Sequence, residues 1–127
     1  MNLIGPFNSG QTAGGAGVST ANGNSPNPVR GRVLGVYVKF NGAPPGTAVT
    51  TIKTVGTAPN APSFTLLTLT SVNTSGWYFP RVQVHGVNGA ALAAAYDMIP
   101  VFDKLNVALA SSNDGTSVDV YLLLWED

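Results

Sequence analysis

Alternation of apolar and polar positions is strongest near the C-terminal end. In Lys104–Ala110, Leu105, Val107 and Leu109 point one way while Asn106 and Ala108 point the other. In Ser117–Trp125, Val118, Val120, Leu122 and Leu124 share a face, because strand side chains alternate with period two. Between the runs, Asp114-Gly115 supplies the left-handed backbone of a tight connection, which predicts a hairpin. The other face of the last run carries Asp119, Tyr121, Leu123 and Trp125. A strand apolar on both faces is expected to be central, or covered by another sheet or subunit.

Upstream, Arg30–Phe40 predicts a long half-buried strand, with Leu34, Val36, Val38 and Phe40 on one face and Arg32, Tyr37 and Lys39 on the other. Gly31 and Gly35 within it suggest a bulge or a close backbone approach. Ala48–Val55 is Thr-rich with mixed faces and reads as an edge, or as a strand against a thin part of the core. Ser63–Thr70 follows with Phe64, Leu66 and Leu69 inward, the doubled Leu66-Leu67 signalling a bulge. Trp77-Tyr78-Phe79 ends at Pro80, which cannot donate a ladder bond, and Val82, Val84 and Val87 continue patchily. Asn88–Tyr96 is the one stretch with helical propensity, but it is too short to stand alone and reads as a loose turn or extended loop. About six to eight strands without a substantial helix give an all-β fold over residues 29–127, an antiparallel β-sandwich or small barrel whose strand order the spacing does not reveal. Residues 1–28, rich in Gly, Asn and Ser, read as a flexible N-terminal arm. Leu3, Ile4 and Phe7 are its candidate anchors on a partner.

Composition changes the picture in one respect. The 127 residues make one domain, but only 9% are charged, against roughly 25% in typical soluble domains. Such a surface is more comfortable under protein, which favours an oligomer or larger assembly. Six basic and six acidic residues cancel, so neither nucleic acid nor an anionic membrane is an expected partner. There are no cysteines, no apolar run of membrane-spanning length and no secretory signal pattern.

Candidate chemistry is sparse. His85 stands alone, and the nucleophile-elbow, zinc-protease and phosphate-loop patterns are absent. Asp97, Asp103, Asp114, Asp119, Glu126 and Asp127 are dispersed along the chain, unlike a calcium loop, so no metal, cofactor or catalytic residue is expected. Arg30, Arg32, Lys39, Lys53, Arg81 and Lys104 are too scattered for a phosphate-tracking groove. Arg30 and Arg32 suit pairing with acidic groups on a partner. Asn73-Thr74-Ser75 fits the glycosylation sequon, incidental without an export signal. Trp77, Tyr78 and Phe79 cannot form one platform, because consecutive strand residues face opposite sides.

Arg30–Val36, Gly76–Arg81 and Asp114–Leu123 resemble segments of small virion proteins of tailed bacteriophages, the capsid decoration or cement proteins. The resemblance spans most of Arg30–Trp125 and carries no catalytic signature. It implies a β-sandwich or jelly-roll on the capsid exterior of the virion, contacting the major capsid protein, commonly as a homotrimer, with the N-terminal segment reaching across coat subunits. Arg30, Arg32, Trp77, Tyr78, Arg81, Tyr96, Tyr121 and Trp125 are then candidate interface residues. The alternative is a glycan- or receptor-binding module of a head fibre or tail component. That alternative requires an exposed aromatic at Trp77, Tyr78 or Tyr96, in a groove with convergent polar groups.

Overall fold

The computed structural model describes residues 1–56 and 63–125. Glu126, Asp127 and most of the turn expected over Gly56–Pro62 lie outside the described residues. The strands are β1 (Asn2–Asn8), β2 (Ser19–Asn24), β3 (Val29–Asn41), β4 (Val49–Thr54), β5 (Thr65–Thr70), β6 (Gly76–Tyr78), β7 (Val82–His85), β8 (Ala91–Asp97), β9 (Ile99–Asp103), β10 (Leu105–Ser112) and β11 (Ser117–Trp125). One sheet has the order β1-β11-β3-β6, with β9 also paired to β3; the second has the order β2-β10-β4-β5; β7 and β8 form a separate ribbon. Every pairing is antiparallel. The wrapping pairs nest: β1 with β11, β2 with β10, β3 with β9 and β6, β4 with β5. Because β1 to β4 also alternate between the two sheets, this is a jelly-roll, an antiparallel sandwich.

The expected C-terminal hairpin does not form. β10 and β11 belong to different sheets, and their connection arches across the sandwich. The alternation explains why. Leu105, Val107 and Leu109 on one strand and Val118, Val120, Leu122 and Leu124 on the other are all at most 1% exposed. Placed in opposite layers, the two rows bury each other face to face, at about 25 cal/mol per Å² of apolar surface removed from water. β11 is central as expected, between β1 and β3.

β4 is not an edge; it lies between β10 and β5. Thr50 and Thr54 are buried there beside Ile52, and the Phe64 N–H donates to the Thr54 hydroxyl at 2.9 Å. β-Branched threonine fills a strand position much as valine does; the Thr54 hydroxyl has this partner, whereas Thr50 Oγ1 has none among the described residues. Both expected irregularities are present: the β3–β11 register shifts beside Gly35, and the β4–β5 register shifts across Leu66. The shift in β3 buries Val33 as well as Val36 and Val38 and leaves Leu34 only half-buried.

Residues 1–28 do not form a free arm. β1 pairs with β11 from Asn2↔Leu124 to Asn8↔Asp119, and β2 pairs with β10. Ile4 and Phe7 pack on this chain's own core, while Leu3 stays exposed on the outer face. Polar side chains do the rest of the holding. Ser9, Thr12, Ser19 and Ser25 are buried: Val118 N donates to Ser9 Oγ at 3.1 Å and Leu105 N to Ser25 Oγ at 3.0 Å. The segment is therefore fixed by strand pairing and buried hydroxyls, together with the core contacts of Ile4 and Phe7.

Candidate functional site

The outer face of the larger sheet carries an aromatic groove. On β6, Trp77 and Phe79 just beyond it point outward, while Tyr78 turns inward onto the core, as alternation requires. Trp77 lies opposite Tyr37 on β3, and Tyr37 lies opposite Tyr121 on β11. Ring centroids are 5.3 Å apart for Tyr37–Trp77 and 6.1 Å for Tyr37–Tyr121, both tilted. Trp77 and Phe79 stack at 6.2 Å with planes 12° apart. Gly35 makes that stack possible. A Cβ there would sit 3.0 Å from the Phe79 ring, so the bare backbone lets the ring lie over the strand, an aromatic covering a strand glycine.

Leu3, Tyr37, Lys39, Trp77 and Tyr121 line a groove of about 390 Å³. Trp77 is 46% exposed. At the Lys39 end the face becomes polar: Asp119 is the cross-strand neighbour of Lys39, and its carboxylate accepts hydrogen bonds from the Asn8 and Asn41 amides at 2.6 and 3.0 Å. A second hollow of about 380 Å³ lies between β1 and β3, lined by Ile4, Phe7, Pro28, Arg30 and Leu124 among others.

The remaining expected residues fall apart from the groove. Arg30 and Arg32 lie opposite Phe102 and Pro100 of β9, and Arg32 also lies opposite Trp125. Phe102 and Trp125 are exposed, which makes a second aromatic and basic patch at the other end of β3. The Arg81 guanidinium donates to the Leu34 and Pro80 carbonyls at 3.0 and 2.8 Å and so clamps the exit of the Trp77 segment. Tyr96 is exposed on the β7–β8 ribbon. The sequence does not single out Tyr37, and Lys39 and Phe79 enter it only as one of the scattered cations and as part of a three-ring platform. Their one signal is the outward parity of Tyr37 and Lys39 on a long strand, which acquires meaning only once β3 is known to pair with β11.

The acids among the described residues do not converge. Among the described residues, no three of His, Cys, Asp or Glu are grouped as metal ligands, and no helix is long and apolar enough to cross a membrane. His85 Nδ1 lies 3.0 Å from the Gln83 carbonyl of its own strand. Asp103 is buried, accepting from the Gly56 and Lys104 N–H groups, both at 2.7 Å. Asp114 accepts from Ser19 Oγ at 2.6 Å and Gly15 N at 3.0 Å. These bonds hold its carboxyl below the ordinary value of 3.8, the Ser19 hydroxyl first and the Gly15 and Gly14 amides after it. Asp114 therefore fastens the N-terminal segment to the β10–β11 arch.

No family model matches the chain, and no curated protein does. Among solved structures it is similar to the CBM32 of AlyQ in complex with 4,5-unsaturated mannuronic acid, at 13% identity and a TM-score of 0.42, over 88% of this chain and 74% of that one. It is also similar to FlhE, at 14% identity and a TM-score of 0.37, over 99% of this chain and 100% of that one. Both likenesses are remote, and the fold assignment rests on the strand order.

Proposed function

We propose that the protein is a non-enzymatic structural component of a larger assembly, of the kind its sequence resembles: a decoration protein on the virion capsid exterior, binding the major capsid protein and its own copies as a homotrimer. The observation behind this reading is the β7–β8 ribbon. The two strands contact chiefly each other; Val82, Val87, Leu92 and Tyr96 are exposed on or between them; and no charged residue occurs from Val82 to Tyr96. A two-stranded ribbon is marginally stable in isolation, and free edges are normally guarded by charge or proline. A neighbouring protein surface would supply what this ribbon lacks. Cryo-microscopy of purified particles together with light scattering of the isolated chain tests the proposal. Density on the particle exterior and a trimer are expected; particles without the chain overturn it.

The groove at Trp77 favours a second reading, glycan recognition on the same scaffold. It has the exposed aromatic beside polar groups that such a site needs. Titration with an oligosaccharide array tests it, and silence across the array removes it.

A further inference from the structure

The polar groups lining the groove include a cation and no anion. Lys39 offers an ammonium and Trp77 an indole N–H, both donors only, and the Tyr37 and Tyr121 phenolic hydroxyls donate and accept. Lys39 forms no ion pair among the described residues. The neighbouring carboxylate, Asp119, is already engaged by two side-chain amides, one on each oxygen. A neutral sugar brings hydroxyls that must both donate and accept, and binding sites for such rings ordinarily present carboxylates or amide oxygens as well. Here Lys39 is the one charged side chain lining the groove, beside aromatic faces, while Asp119, still an anion, is held by Asn8 and Asn41 outside that lining.

We propose that this groove binds an acidic saccharide, the pyranose ring lying on the exposed Trp77 indole and the sugar carboxylate meeting the Lys39 ammonium. The inference rests on the glycan reading and narrows it to one ligand class. Charge-assisted hydrogen bonds are roughly twice as strong as neutral ones, so the cation would dominate selectivity between otherwise identical rings. Because Lys39 is exposed, that selectivity also weakens with salt.

The test is calorimetric titration of the full chain with uronate and sialylated trisaccharides, each beside its matched neutral trisaccharide. At least one carboxylated member is expected to bind about two- to five-fold more tightly than its neutral match, the range of a solvent-exposed ion pair. That preference should shrink between 50 and 500 mM NaCl and vanish in Lys39→Gln. Trp77→Ala should abolish binding to both, and Trp77→Phe should restore part of it, with unchanged thermal unfolding showing that each variant is folded. Equal affinity for carboxylated and neutral members overturns the acidic-ligand inference and leaves the glycan reading standing. No binding by any member overturns both.

Discussion

Thr116 shows how a polar residue can be structural. It is buried at the β10–β11 arch, its hydroxyl 2.7 Å from both Thr12 Oγ1 and Ser112 Oγ and donating to the Asn113 carbonyl at 2.9 Å. Thr116→Val keeps the shape but strands these partners, so a loss of about 1–3 kcal/mol is expected in urea unfolding. Beside it, Asp114 ties stability to pH. Its carboxyl titrates lower in the folded chain than in the unfolded one, so its contribution is present above the ordinary value of 3.8 and is lost as pH falls through the lowered one. Unfolding midpoints between pH 2 and 6 should therefore fall more steeply on the acid side for the native chain than for Asp114→Asn. At this scale the sequence was informative where side chains were apolar: Val36, Val38, Leu105 and Val118 face inward as their alternation requires. It was silent on Ser9, Thr12 and Ser25, because a hydroxyl that bonds a buried N–H looks no different in the sequence from one that bonds water.

Among the elements, the N-terminal segment separates composition from structure most clearly. β2 is almost wholly polar, Gly and Ala, and β1 carries its apolar residues in one short run, yet each closes one edge of a sheet. Removing residues 1–28 deletes both strands and uncovers the β11 and β10 edges. The truncated chain is expected to lose cooperative unfolding by circular dichroism, whereas trimming a free arm would leave the midpoint unchanged. The ribbon predicts the opposite. Because β7 and β8 contact chiefly each other, Leu92→Lys should leave the unfolding midpoint within about 0.5 kcal/mol of native and reduce the oligomer seen by light scattering. The strands themselves were readable from period-two patterns and Gly/Pro punctuation. Their partners were not. The same alternation in β10 and β11 suits a hairpin or an arch, and only the need to cover two apolar rows selects the arch. The Ala-rich run of β8 followed the same rule in reverse, its local helical preference yielding to pairing with β7.

For the molecule as a whole, nesting makes most strand pairs distant in sequence, β4–β5 and β7–β8 being the local ones. Long-range pairings must be closed before they stabilise anything, so stopped-flow refolding is expected in milliseconds to seconds rather than microseconds. That the chain is a two-layer antiparallel fold could be read from its patterns, and the resemblance pointed to the same architecture. The wrapping order could not, since no spacing records which strand leaves which layer. The nesting also places Asn2 beside Leu124 on neighbouring strands. Hooked at these two positions and pulled apart in an optical trap, β1 would peel from β11 one ladder bond at a time instead of shearing many at once. A shell that keeps this protein under tension would have to grip it elsewhere.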